Sequence, residues 1–345
     1  MGIVEGIAEG VAAIAKVVSG RVSDRFARRP LIGAGYGLAA VGKVLIALAA
    51  TWPLVLVGRS VDRLGKGIRG APRDALIAAD ANPADRGKAF GFHRSMDTAG
   101  AVAGPLLGLA AYQLLDQQIR PLLWIAVIPA VLSVLLVLAV REPRRPMSAA
   151  PAADRPRWHP RQLPARYWRV IGVLVVFSVV NFPDALLLLR LSDIGFSVPA
   201  LFLAYVAYNA VYVLLSYPAG VVADRLPPAW VFAVGVVFFA VGYLGLGLTT
   251  SHLAAWLLLA AYGAFTALTD GVGKAWISRL VPATEQGTAQ GLYQGLTGVG
   301  VLTAGVWAGL AWNETGQLPL IISGTAGLVL AVVIPLVTGR DPVHA

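Results

Sequence analysis

The chain has 345 residues, 57% of them hydrophobic and 13% charged, with a mean hydropathy of +0.71. A soluble domain carries about 25% charged residues, so this composition cannot cover a water-facing surface and points to an integral membrane protein. Cysteine is absent and the four histidines are scattered, which excludes disulfides and thiolate sites and leaves no metal or cofactor to expect. The net charge of +10 would suggest nucleic acid in a soluble protein; here it is read as cations held on one side of a bilayer.

A spanning helix needs about 20 mostly apolar residues. The sequence predicts eleven, near residues 2–20, 31–50, 53–80, 87–115, 121–140, 168–190, 199–222, 229–249, 252–280, 285–311 and 318–338. The expected class is therefore all-α, since nothing alternates over ten-residue segments as barrel strands do. Residues 1–15 carry Glu5 and Glu9 without a basic start, unlike a cleavable signal peptide.

The first helix ends in Gly20-Arg21-Val22-Ser23-Asp24-Arg25, and Arg28 and Arg29 follow in the loop. Gly20 permits close helix approach. Asp24 is placed to cap a neighbouring helix N-terminus or to pair with an arginine; the alternative is a loop that is basic only for topology. If position 27 required left-handed backbone, Ala27 would cost about 1 kcal/mol.

The third helix is the least apolar. Arg59, Asp62, Lys66, Arg69 and Arg73 form one helical stripe, with Arg63 and Asp74 beside it. Charges at such depth face a bundle interior or water. Lys66, Arg69, Arg73 and Asp74 are expected at the mouth as salt bridges, and Arg59, Asp62 and Arg63 along a deeper polar pathway.

The fourth helix adds His93, Arg94 and Asp97. It also carries Gly91-x₈-Gly100-x₃-Gly104-Pro105-x₂-Gly108, read as a small-residue packing face with a proline kink. Asp97 lies about 15 Å deep at 1.5 Å per residue and is the first choice for a proton-coupling carboxylate, ahead of Asp62. The rival reading is a permanent ion pair, with Arg59 or Arg63 as partner.

Residues 141–167 are basic and rich in proline, which predicts an unpacked linker between an N-terminal unit (1–140) and a C-terminal unit (168–345). Loop cations cluster on the linker side, so the linker and the C-terminus are expected in the cytoplasm, with Ser148 inside and Asn313 outside.

The second unit contributes Asn181, Asp184 and Arg190, then Tyr208, Asn209 and Tyr212, then Asp270 and Lys274 at i, i+4, and finally Gln290, Tyr293 and Gln294. Asp270 and Lys274 either serve a site or neutralise each other. The candidate substrate-binding set is Arg59, Arg63, His93, Arg94, Asn181, Asp184, Asn209, Asp270 and Tyr293. Trp256, Trp276, Trp307 and Trp312 either stack on a substrate or, as is usual for such tryptophans, are interfacial anchors.

An internal repeat links the units. The Gly20…Asp24-Arg25 segment recurs 200 residues on as Gly220…Asp224-Arg225, and Gly87, Ala89, Gly91 and Gly100 recur as Gly287, Ala289, Gly291 and Gly300. One shared offset implies parallel copies related by an axis along the membrane normal. The helix at 168–190 has no counterpart in the first unit, so five plus six helices are expected here and six plus six with one N-terminal helix restored.

These residues resemble a family. Gly20-x-x-x-Asp24-Arg25-x-Ala27-Arg28-Arg29 is similar to the G-x-x-x-D-R-x-G-R-R signature of the major facilitator superfamily. The Gly91–Gly108 pattern is similar to its antiporter motif, with Leu109 in place of the last glycine. The resemblance implies two pseudo-repeated bundles and alternating access, not an enzyme. It further implies proton-coupled export of small molecules by a monomer in the cytoplasmic membrane, with protons, substrate and lipid as partners and no nucleic acid. Gly20, Asp24, Arg25, Arg28, Arg29, Asp224 and Arg225 would form its gate. The alternatives are uptake or exchange of an organic anion, a non-transporting scaffold, and a channel. No G-x-x-x-x-G-K-[ST] is present, which disfavours a nucleotide-driven pump.

Overall fold

In the hydrocarbon of a bilayer each backbone N–H and C=O must find its partner within the chain, so long apolar runs become helices. The computed structural model describes residues 2–140, 142 and 163–339, with side chains from residue 9 onward. The helices are α1 (Gly2–Arg25), α2 (Arg28–Leu48), α3 (Trp52–Asp80), α4 (Arg86–Leu114), α5 (Ile119–Ala139), α6 (Ala165–Val180), α7 (Asp184–Asp193), α8 (Val198–Arg225), α9 (Pro228–Leu248), α10 (His252–Arg279), α11 (Gln286–Leu310) and α12 (Gln317–Thr338). Ser148 and most of the linker arginines lie outside the described residues.

Seven of these spans are long and apolar enough by composition to cross a membrane: α2, α5, α6 with α7, α8, α9, α10 and α12. The other four long helices, α1, α3, α4 and α11, carry the charged and small residues. They pack across the junction between the halves, α1 and α3 on α11 and α4 on α8 and α10. Polar residues thus concentrate where protein, not lipid, surrounds them.

The repeat relates ten of the twelve described α-helices. α2 and α9 run from 28 to 48 and from 228 to 248, and α1, α3, α4 and α5 match α8, α10, α11 and α12 at the same displacement. Among the described residues, α6 and α7 have no counterpart.

The predicted span at 168–190 is two helices, broken at residues 181–183. Pro183 lacks an N–H and its ring blocks helix continuation. The freed carbonyls find side-chain donors: Tyr243 Oη donates to Phe182 O at 3.1 Å, and Trp307 Nε1 to Val179 O at 2.8 Å.

The two bundles pack differently. The C-terminal half has an aromatic core in which Phe177 meets Phe232, Phe239 and Phe265 edge-on. Trp276, in the last turn of α10, is 1% exposed and packs on Phe232, so it faces the protein core and not a lipid interface as expected. The N-terminal half relies on alanine and glycine, with Ala12, Ala39, Ala71 and Ala75 all buried. Gly42 and Gly58 face each other so closely that a Cβ on Gly42 would lie 2.6 Å from Gly58 O, the small-residue approach that brings membrane helices together.

Two local expectations are corrected. Ala27 has φ −57° and ψ 137°, so no left-handed backbone is required and alanine carries no strain there. The glycine face of α4 is only partly a packing face. Gly91 abuts Ser216 and Gly220 of α8, but a Cβ added to Gly100, Gly104 or Gly108 would meet no neighbour within 4 Å. Their counterpart Gly300 packs on Ser178 of α6, and no such helix covers Gly100 among the described residues. Pro105 lies within α4 without interrupting it.

Candidate functional site

The end of the bundle where residues 141–164 join the halves is here the linker side. Gly20 and Gly220 sit near that end of α1 and α8, and each replaces a side chain that would strike the opposite half. A Cβ on Gly20 would lie 2.9 Å from Gly291 Cα, and one on Gly220 would strike Gly87. Glycine is required because backbones meet there directly.

That approach carries two carboxylates onto helix N-termini. Asp24 accepts from Gly287 N at 2.7 Å and Thr288 N at 2.6 Å, the first turn of α11. Asp224 accepts from Gly87 N at 2.6 Å and Lys88 N at 2.9 Å, the first turn of α4. Each half therefore caps a helix of the other. A carboxylate suits such a position because it satisfies orphan N–H groups and meets the positive end of the helix dipole. Arg279 Nη2 also reaches Asp224 at 2.5 Å.

Two of the basic residues expected beside these aspartates also reach backbone carbonyls of their own half. Arg28 is buried and its Nη1 donates to Ala75 O at 2.8 Å. Arg29 Nε donates to Val137 O at 3.2 Å. Both bonds tie α2 to α3 and α5 of its own half. Arg25 and Arg225 are exposed. Glu142, which no sequence motif marks, accepts from Arg28 N at 2.8 Å and Arg29 N at 3.0 Å and so caps α2.

About two turns deeper, polar side chains bridge the halves. Asp74, fully buried, pairs with Lys274 Nζ at 2.9 Å and accepts from Gln294 Nε2 at 2.9 Å, with Arg73 Nε at 3.3 Å. Asp74 and Lys274 are repeat counterparts, so this pair joins equivalent positions of the two bundles. Beside it, Arg94 Nε donates to Tyr212 Oη at 2.9 Å, and Tyr212 donates to Asp270 at 2.7 Å. Arg94 also pairs directly with Asp270 and, at 3.0 Å, with Asp97. Asp270 and Lys274 thus find partners across the seam instead of neutralising each other. His93 belongs to the same region, and its buried Nδ1 has no hydrogen-bond partner among the described residues.

Other candidates fall elsewhere. Asp97 pairs with Arg94 on its own helix, not with Arg59 or Arg63, because i, i+3 spacing stacks the two side chains. Asp62 faces α2 and pairs with Lys43 at 3.1 Å, outside the seam. Arg63 pairs with Glu9 at 3.0 Å, and Arg59 is exposed. In the C-terminal half, Asp184 at the α6–α7 break accepts from Tyr208 at 2.7 Å and from Tyr262. Asn181 accepts from Tyr243 at 3.3 Å, and Asn209 donates to Tyr205 O of its own helix at 2.8 Å. Tyr293 Oη lies against Gly273.

Two repeated helical bundles joined by discrete polar contacts define a secondary transporter built from repeated halves. The family model of the Major Facilitator Superfamily matches residues 1–205 and 170–345, and the chain belongs to that family, whose members are transporters and not enzymes. It is 29% identical over 340 residues to the MFS-type transporter MJ1317 of Methanocaldococcus jannaschii, covering 96% of this chain and 83% of that one. A shorter match, 29% over 188 residues, covers 53% of this chain and 47% of the multidrug resistance protein MdtL of Escherichia coli. Among solved structures, the human organic anion transporter MFSD10 superposes with a TM-score of 0.80 at 15% identity, covering 96% of this chain and 83% of that one. The proton:xylose symporter XylE does so with 0.79 at 17%, covering 98% and 86%. These structural likenesses establish the fold.

Proposed function

We propose that the chain exports small molecules in exchange for protons, as a monomer in the cytoplasmic membrane with its linker side facing the cytoplasm. In this reading the halves rock about the seam. Asp24 and Asp224 act as releasable latches, and the substrate occupies the space beyond the Asp74–Lys274 pair. The carrying observation is that Arg94 holds two carboxylates at once, Asp97 of its own half and Asp270 of the other. One proton on that pair decides whether an ion pair from Arg94, beside its bond to Tyr212, joins the halves. Asp97 keeps its coupling role in partnership with Asp270, and Asp62 drops out because it faces α2. Export is supported by the likeness to MdtL, whose name denotes multidrug resistance.

Proteoliposomes containing the purified chain and loaded with either citrate or tetraphenylphosphonium test this. Release of at least one probe is expected to require a pH gradient and to show counterflow. Flux of both without regard to the gradient would indicate a channel, and no flux of either a scaffold.

A further inference from the structure

Among the described residues the seam carries more cations than carboxylates, and the excess lies on Lys16, Lys66 and Arg69, of which Arg69 is covered by an aromatic ring. Facing the space between the halves are Lys16 of α1, Arg63, Lys66, Arg69 and Arg73 of α3, Arg94 of α4 and Lys274 of α10. The carboxylates there are all engaged: Glu9 by Arg63, Asp74 by Lys274 and Arg73, and Asp97 and Asp270 by Arg94. Arg69 lies over the Tyr36 ring at 4.2 Å. Lys16 and Lys66 have no hydrogen bond or ion pair among the described residues.

Their placement is consistent with a binding floor. Lys16 Nζ lies 3.9 Å from the Cβ position of Gly298, on α11 of the other half. Lys66 is one helical turn from Gly70, whose Cβ position lies 2.9 Å from Gln294 Oε1 of α11. Side chains lean toward the N-terminus of their helix, and both α1 and α3 run toward the linker side. Both ammonium groups therefore point away from the latches into the space above Asp74 and Lys274. Gly67, next to Lys66, packs directly on Ala12 and Ala15 of α1, so the two lysines leave neighbouring positions on packed helices. Lys16 is half-buried and Lys66 exposed, and two ammonium groups on neighbouring packed helices repel each other unless a counter-charge lies between them.

We propose that Lys16 and Lys66 together bind the anionic group of the substrate, which is a small polyvalent oxyanion bearing carboxylate or phosphate groups. This rests on the transporter reading and names its substrate class. Sequence spacing alone places neither lysine in the substrate-binding set.

The test uses the purified full chain, with citrate and inorganic pyrophosphate as probes and tetraphenylphosphonium as the contrasting cation. Binding is read from the shift in thermal unfolding midpoint at constant ionic strength. At least one anion is expected to stabilise the protein. Lys16→Gln and Lys66→Gln should each weaken that binding about tenfold, the double variant should abolish it, and Arg120→Gln, at the far end of the bundle from the latches, should leave it unchanged. Lys66→Arg is expected to retain it, which separates a lost charge from a damaged fold. Anion binding that survives in the double variant overturns the proposal, as does stabilisation by tetraphenylphosphonium with none by either anion. In that last case gradient-dependent flux of the cation would leave the transporter reading standing. Anion binding lost in the double variant, together with absence of flux, would instead retain the site and remove the transporter reading.

Discussion

A carboxylate at the end of one helix and two N–H groups at the start of another form a contact whose strength depends on charge. Hydrogen bonds to charged groups contribute about 1.5–3 kcal/mol, and the helix dipole adds about 0.3–1 kcal/mol. Asp24→Asn keeps an acceptor but loses the charge, so about 1–2 kcal/mol of latch energy should disappear. That corresponds to a roughly 5–30-fold shift in the closed population. Ser23 is fully buried beside this latch, and a cysteine placed there in the cysteine-free chain reports its opening. Maleimide labelling of Ser23→Cys is expected to accelerate when Asp24→Asn is added. Unchanged labelling would show that the carboxylate does not hold the linker side shut. The aspartates are legible in the sequence because their motif repeats. Glu142 is not, since its role follows only from where α5 delivers the chain, and no local spacing encodes that.

At the scale of helices, small residues state that something packs closely but not what. Gly91 and Gly100 look alike in the sequence, yet Gly91 meets α8 and Gly100 meets nothing within 4 Å. Gly300 shows what a covered counterpart looks like, since an added Cβ would lie 2.9 Å from Ser178 Cβ and closer still to its hydroxyl. Gly300→Ala should therefore destabilise the protein by about 1–3 kcal/mol, and Gly100→Ala by far less. Thermal unfolding midpoints of the two purified variants decide this, and equal losses would contradict the open face on α4. The α6–α7 break is within reach of sequence reasoning. Pro183 in the middle of a predicted span is a helix-ending signal, and the apolar run around it masks that signal. Seven spans are legible from hydropathy, and α1, α3, α4 and α11 from their place between those spans and from the 200-residue repeat; which faces meet is not.

Over the whole molecule, the polar seam shows what pattern reading cannot resolve. Periodicity places Asp97 and Asp270 at useful depths, but their partners come from tertiary packing: Arg94 lies between them and Tyr212 completes the chain. Sharing one guanidinium makes the two carboxylates rivals, and rivals should respond to neutralisation in opposite ways. Asp270→Asn removes the partner on the far half, so Arg94 turns to Asp97 and a link between the halves is lost. Linker-side opening, read as labelling of Ser23→Cys, should rise. Asp97→Asn removes the near partner, so Arg94 commits to Asp270 and the halves are held together more firmly. Labelling should then fall below that of the parent. In wild-type sequence at these two positions, acidification should resemble whichever neutral variant matches the carboxylate that takes the proton first, so the pH profile of labelling identifies it. If both variants shift labelling in the same direction, Arg94 is not divided between the halves. The Asp97–Arg94 contact would then be a structural pair within α4, and coupling would have to reside in the Asp74–Lys274 bridge.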